Sequence, residues 1–277
     1  MGRLTFLNGK FLPENEARVS VLTPGFLYGW GLFESMRAYR GRIVCLREHL
    51  KRLRDSARKI RISFNYTDRR LKGIIRELVK NNGFSDAYVR MCLWKKEAGG
   101  DLFILVKKYR PFSLRKYNKG FSACISRYRQ NESCVLTPHK TANYLMFQLA
   151  YSEARENGFD EALLLNNRGV LAECSRSNIF FARGRQIFTP GLACGCLNGI
   201  TRDLIIGLAK KNKISVAEGN FSLPELLSAD EAFLTNSLMG VMPLAYVGKN
   251  RIGDSRRGRI TKALIKEYNR LLRDGTD

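Results

Sequence analysis

Lys140 stands in the stretch TPHKTANYLMFQLAYSEA, directly after His139, one of two histidines in the chain, at the mouth of an apolar-periodic run. A primary amine on a flexible stem attacks carbonyl carbon and forms a Schiff base. To react it must be partly neutral, and burial or a neighbouring cation achieves that by lowering its pKa from about 10.4. A single lysine at a helix start reads equally well as a solvated surface group, so the chemistry rests on the company it keeps.

If the carbonyl belongs to pyridoxal phosphate, three further features are required. A carboxylate must face the pyridine nitrogen, backbone N–H groups at a helix N-terminus must receive the phosphate, and an arginine must add a charge-assisted contact to it. Each has a candidate. GVLAECSRSNIFF places Glu173 at the end of a hairpin arm among small residues. CLNGITRDLIIGLA is a glycine-containing turn running into a helix, with Ile200 and Thr201 at its start. LTNSLMG follows an apolar strand and offers Thr235 and Asn236, and HLKRLRDSA supplies Arg52. Taken singly, Glu173 also reads as an exposed hairpin end, Thr201 as an ordinary N-cap and Arg52 as a solvated helix residue.

The elements that must position these groups follow from periodicity and turn residues. LTFLNGKFL is a hairpin turning at Asn8-Gly9, and ESMRAYRGRIVCL a second one at Arg40-Gly41. REHLKRLRDSARKI is a helix with Leu50, Leu53, Ala57 and Ile60 on one face, and RRLKGIIRELVKNNG is another, capped by Asp68 and ending at Gly83. AYVRMCLW and LFILVKKY are strands about a Gly99-Gly100 turn. Residues 110–120 read as a connector. Beyond it come a strand FSACISRYR, a helix from about Ala142 to Asn157, a strand EALLL and a hairpin through residues 166–169. NIFFARG pairs with RQIFTP, and ITRDLIIGLAKKN, ISVAEG, LPELLSA and EAFLTNS read as helix, strand, short helix and strand. A hairpin around Lys249-Asn250 and a basic helix close the chain. The fold class is α+β.

Composition narrows the classes. A chain of 277 residues, 44% hydrophobic, can bury one large core or two modest ones. No apolar run approaches the ~20 residues of a membrane-spanning helix, and MGRLTFLNGKFLPEN turns polar too early for a signal peptide, so a cytoplasmic protein without membrane partners is expected. Seven cysteines, an odd number without any C-x-x-C, lie mostly in apolar stretches; Cys194 and Cys196 are too close for a zinc knuckle, and no metal is expected. The formal net charge is +23, with basic residues spread over 37–61, 107–119, 202–213 and 249–273. Without interleaved exposed aromatics this is a solvated basic surface suited to anionic small molecules, and no specific nucleic-acid partner is expected.

Together the segments resemble the class IV (fold-type IV) pyridoxal-phosphate enzymes, which include branched-chain aminotransferases, D-amino acid aminotransferases and aminodeoxychorismate lyases. The resemblance is carried in order by FLYGWGLFESMRAYRGRI, LREHLKRLRDSA, HKTANYL, FDEALLLNNRGVLAECSRSNIFF, IFTPGLACGCLNGITRD and ADEAFLTNSLMGVMPL, from about residue 3 to the C-terminus. It implies pyridoxal 5′-phosphate as cofactor, with Lys140 as covalent anchor and proton shuttle and Glu173 against the pyridine nitrogen. It implies a phosphate site from Arg52, Ile200, Thr201, Thr235 and Asn236, and Tyr144 reaching the phenolic oxygen. Tyr28, Phe33 and Arg90 would line the substrate side, with Glu34 and Arg37 close by. It further implies a small N-terminal α/β domain, 1–114, a larger barrel-like C-terminal α/β domain, 119–277, and a homodimer.

Among the family's reactions, FLYGWGLFES and LTNSLMGVMPL resemble the lyase more than the transaminases. The expected activity is therefore release of pyruvate from 4-amino-4-deoxychorismate to give 4-aminobenzoate. A branched-chain-type amino acid aminotransferase with a 2-oxo acid acceptor is the alternative, to which HKTANYL and GRITKAL are similar. A D-amino acid aminotransferase fits less well, because YVRMCLWKKEAGGDL lacks a counterpart of its arginine- and histidine-bearing loop. A basic binding module that has lost its chemistry is disfavoured by the joint presence of Lys140, Glu173 and Arg52.

Overall fold

The computed structural model describes residues 2–253 and 258–275. Residues 254–257, within the basic stretch 249–273, lie outside it. The chain divides into two compact units, the first holding Met1–Arg110, His139–Asn143 and the last residues from Asp274, the second Pro111–Pro138 and Tyr144–Arg273. The units are not the contiguous blocks 1–114 and 119–277: residues 111–114 go with the second, and the short segment carrying Lys140 goes with the first.

In the first unit, β1 (Leu4–Leu7) and β2 (Lys10–Pro13) form the first hairpin, with Asn8 and Gly9 at φ 47° and 94°. Two positive φ values make the turn whose twist suits adjoining strands, and asparagine and glycine tolerate them best. A four-residue helix α1 (Pro24–Leu27) precedes β3 (Gly31–Tyr39), which turns at Arg40-Gly41 into β4 (Arg42–Ile43). Helices α2 (Leu46–Lys59) and α3 (Asp68–Asn81) follow, then β5 (Ala87–Lys95) and β6 (Gly100–Lys108). The six strands form an antiparallel sheet in the order β2-β1-β6-β5-β3-β4. Thr67, rather than Asp68, caps α3 by accepting from Arg70 N; Asp68 is the first helical residue and pairs with Arg54.

Strand alternation sorts the side chains. Leu32, Met36, Val89 and Met91 pack with Leu46, Leu50 and Leu53 of α2 and Leu71, Ile75 and Leu78 of α3 in one buried cluster. Phe33, Ser35 and Arg37 point to the other face, opposite Cys92, Arg90 and Tyr88 of β5.

The second unit opens with α4 (Leu114–Lys119), inside what reads as a connector; Ser113 caps it by accepting from Lys116 N. There follow β7 (Phe121–Gln130), α5 (Leu145–Glu156), β8 (Glu161–Asn166), β9 (Leu171–Cys174), β10 (Asn178–Arg183) and β11 (Gln186–Pro190). Then come α6 (Ile200–Lys211), β12 (Ser215–Gly219), α7 (Leu223–Leu227), β13 (Glu231–Asn236), β14 (Gly240–Val247), β15 (Asn250–Arg251) and α8 (Arg259–Asp274). The sheet runs β12-β11-β10-β13-β14-β7-β8-β9, with β15 on β14. Its β11–β12, β14–β7 and β7–β8 pairings are parallel and the others antiparallel. β9 at one end also packs against β10 and β11, which curls the sheet on itself. Phe121, Leu163, Phe181, Leu226, Leu234 and Met242 fill its main core. No described helix is long and apolar enough to cross a membrane.

Candidate functional site

In the first unit, His139–Asn143 runs as a short extended piece along β3. Phe33 N donates to Lys140 O at 2.9 Å, Ala142 N to Gly31 O at 2.8 Å, and Leu32 and Thr141 form an antiparallel bridge. The pairing is possible because β4 covers only Ala38 and Tyr39 on that edge of β3. Asn143 Nδ2 donates to Gly29 O at 3.0 Å, and His139 Nδ1 lies 3.0 Å from Ser56 Oγ of α2. These contacts take Ala142 and Asn143 out of the helix expected to start there, so α5 begins at Leu145.

Lys140 is half-buried, and its Nζ lies 4.6 Å from the centroid of the Phe33 ring. The Arg90 guanidinium carbon lies 3.9 Å from the same centroid. Phe33 is 4% exposed. Lys140, Phe33 and Arg90 thus come together, two cations on one aromatic ring.

Arg52 is held from behind. Its Nε donates to Glu34 Oε1 at 2.8 Å and its Nη2 to Glu34 Oε2 at 2.7 Å, while His49 Nδ1 lies 2.6 Å from Glu34 Oε2. Glu34 therefore does not stand beside Phe33 on the substrate side: adjacent strand residues face opposite ways, and Glu34 is 1% exposed among the core side chains. Burial pushes its pKa up, but Arg52 and His49 outweigh that and hold the carboxyl at about 2. The His49 pKa is lowered, first by burial and then by the Arg52 and Lys140 charges, against the pull of Glu34. Arg37 is taken up elsewhere, 3.6 Å from Asp86 and over the Tyr109 ring. Tyr28 does not join this group; it ends α1 and is 71% exposed.

The second unit gathers the remaining candidates. Glu173 on β9 is buried and accepts from Leu197 N at 3.2 Å. The Leu197 carbonyl in turn accepts from Asn178 Nδ2 at 2.8 Å. Asn178 lies opposite Thr235 in the β10–β13 ladder and against Gly199, the N-cap of α6. Leu197 and Asn178 therefore link Glu173 to Gly199, the residue before Ile200 and Thr201, and to the ladder position opposite Thr235. Periodicity does not single them out; the one sequence signal is a polar residue leading the apolar run NIFF. Asn236 donates to Arg176 O at 3.1 Å and accepts from Leu238 N and Met239 N, shaping the turn after β13.

The Tyr144 hydroxyl donates to Ser175 O at 2.6 Å. The turn it meets is anchored by Glu161, 2% exposed, whose carboxylate accepts from Ser175 Oγ and Ser177 Oγ. Burial raises the Glu161 pKa despite those hydroxyls.

These features fit a phosphorylated cofactor. Thr235 Oγ1 is buried without a hydrogen-bond partner, and such a group is costly unless something occupies it. The α6 N-terminus has no side-chain cap, leaving its first amides to an external acceptor. A Cβ on Gly199 would lie 2.1 Å from Asn178 Oδ1, so the turn into α6 admits no larger residue without moving Asn178.

The model of the class IV amino-transferase family matches residues 31–247. A putative branched-chain-amino-acid aminotransferase of Methanocaldococcus jannaschii is 35% identical over 273 residues, covering 95% of this chain and 94% of that one. The aminodeoxychorismate lyase of Bacillus subtilis is 30% identical, covering 98% and 95%. Among solved structures, the T.th. branched-chain amino acid aminotransferase with pyridoxamine 5′-phosphate superposes with a TM-score of 0.92 at 29% identity, covering 98% and 94%.

Proposed function

From the premise that the chain belongs to the class IV amino-transferases, we propose that it transfers the amino group of a branched-chain-type amino acid to a 2-oxo acid. The fold is the α+β type IV fold and the cofactor is pyridoxal 5′-phosphate. One observation carries the choice of reaction: the near full-length likeness at a TM-score of 0.92 is to a branched-chain aminotransferase. The relative of higher identity bears that name too, at 35% against 30% for the lyase. This reverses the preference drawn from FLYGWGLFES and LTNSLMGVMPL, which are short and lie within segments the subgroups share.

When bound, the cofactor supplies an electron sink that makes the proton beside the substrate amine removable. Lys140 is the proposed attachment point, and its Nζ carries that proton. Glu173 holds the proton of the pyridine nitrogen as counter-charge. Arg52, the amides at Ile200 and Thr201, the unpartnered Thr235 hydroxyl and the Asn236 turn hold phosphate oxygens. Arg90 takes the substrate carboxylate, and Phe33 offers apolar surface to its side chain. Tyr144 acts by bracing the Ser175 turn. We assign a homodimer as the working form, supported by the exposed run Val21, Leu22, Phe26, Leu27 and Tyr28, which a lone protomer leaves in water; Tyr28 would join the substrate side only on assembly.

The test is product formation by the cofactor-loaded protein. Glutamate from L-leucine and 2-oxoglutarate, abolished in Lys140→Ala, supports the transaminase. The 30% identical lyase relative keeps one other reaction worth assaying. 4-Aminobenzoate from aminodeoxychorismate without glutamate from leucine would replace the proposal with the lyase.

A further inference from the structure

We propose that Glu34 and His49 form a buried positioning pair that fixes the Arg52 guanidinium in the orientation that receives the cofactor phosphate. The inference rests on the assignment of Arg52 as a phosphate ligand and adds the residues that make it one.

Glu34 engages the side edge of the guanidinium, Nε and Nη2, through both carboxylate oxygens at 2.8 and 2.7 Å. A side-on fork fixes the guanidinium plane and its rotation, since two parallel N–H···O bonds cannot both survive a turn about the last side-chain torsions. The fork engages two of the five N–H donors, Nε and Nη2, and so sets the direction in which the rest of the guanidinium faces. His49 then fixes the carboxylate: its Nδ1 lies 2.6 Å from Oε2, and both side chains are 1% exposed. The supports sit on rigid elements, Glu34 in the middle of β3 and His49 and Arg52 three residues apart on α2. Positions three apart on a helix share a face, so the imidazole and the guanidinium reach the same carboxylate.

A merely structural ion pair explains this arrangement poorly. Glu34 shares its face of β3 with Met36, and His49 shares α2 with Leu46, Leu50 and Leu53; these four apolar residues belong to one buried cluster, where an apolar side chain would pack without loss of hydration. A buried charged pair rarely adds stability over such a replacement, so the carboxylate is better understood as serving geometry. Charge is not its contribution either. A carboxylate touching Arg52 reduces the pull on an incoming phosphate, so Glu34 opposes binding electrostatically and favours it only by orientation. The two effects have opposite signs, and that makes the inference decidable.

The experiment is equilibrium binding of pyridoxal 5′-phosphate and of pyridoxal, which lacks the phosphate, to the cofactor-depleted full-length protein. The quantity read is the ratio of the two dissociation constants, alongside circular dichroism to confirm folding. Glu34→Gln, which keeps the shape and removes the charge, should lower the preference for the phosphorylated form about 10-fold or more. His49→Asn, which keeps a donor near Nδ1, should lower it less. Arg52→Gln should lower it most, and adding Glu34→Gln to Arg52→Gln should do nothing further. An unchanged or increased preference in folded Glu34→Gln overturns the inference, the increase showing that its charge outweighs its geometry. If Glu34→Gln does not fold, His49→Asn decides: an unchanged ratio overturns the inference. If Arg52→Gln itself leaves the ratio unchanged, the phosphate role of Arg52 fails, and the inference with it.

Discussion

Folding lowers the Glu34 pKa from 4.5 to about 2, because Arg52 and His49 overcome the opposing effect of burial. Between those values the unfolded chain binds more protons, so stability rises with pH there. The contribution is complete above pH 4.5, on the order of 3 kcal/mol, and is lost as pH falls through 2. The difference in unfolding free energy between wild type and Glu34→Gln should therefore shrink from about pH 5 to about pH 2.5, as measured by denaturant unfolding at each pH. A constant difference would mean that the ionised carboxylate is not the stabilising species. Glu161 should behave in the opposite sense, because burial raises its pKa. Its stabilisation is present at low pH and lost as pH rises through the folded value. Glu161→Gln, which cannot ionise, should gain on wild type as pH increases, and parallel curves would refute that. At Glu173, substitution by glutamine should leave cofactor affinity nearly intact and lower kcat about 100-fold or more, since the pyridinium loses its counter-charge. Near wild-type turnover would remove Glu173 from the role assigned to it.

At the scale of elements, the second unit depends on how strands and helices are ended. Ser222 and Glu225 form a reciprocal capping box at the start of α7. Ser222→Ala should cost about 1 kcal/mol, read as a fall in Tm of roughly 2–4 °C. The α6 end has no such cap, and its neighbour Gly199 is set by close approach to Asn178. Gly199→Ala should displace Asn178 from Leu197 O, destabilise by about 1–3 kcal/mol, and weaken binding of pyridoxal 5′-phosphate more than that of pyridoxal. Equal weakening of both ligands would detach α6 from phosphate binding.

For the whole molecule, the large apolar side chains between Val19 and Trp30 need a cover. Leu22 is 77% exposed, Phe26 64% and Tyr28 71%. Sedimentation should find a dimer, and Leu22→Glu should shift it toward monomer, since a charge would be buried without a partner. A wild-type monomer with full activity would show that the pocket is complete in one chain. The formal net charge of +23 adds mutual repulsion that such an interface must overcome, so dimerisation should strengthen with ionic strength.

Local pattern determined much of this from the sequence alone. Apolar alternation and Asn-Gly or Arg-Gly turns placed the hairpins, helical periodicity placed α2, α3 and α6, and six ordered segments identified the family and nominated Lys140, Arg52 and Glu173 as its site residues. These signals are short-range, each written within about one element. Pairings across long separations are not written that way. Asn143 meets Gly29 from 114 positions away, and together with the pairing of residues 140–142 along β3 this docks the Lys140 segment in the first unit and delays α5. Helical periodicity gives His49 no role; β3 does, by bringing Glu34 within 2.6 Å of its Nδ1. Glu34 is expected beside Phe33 on the substrate side, and only the packing of α2 against β3 shows that it faces the buried side instead. The unpartnered Thr235 hydroxyl and the Tyr144–Ser175 bond likewise depend on which strands and turns meet, and that is a property of the tertiary structure.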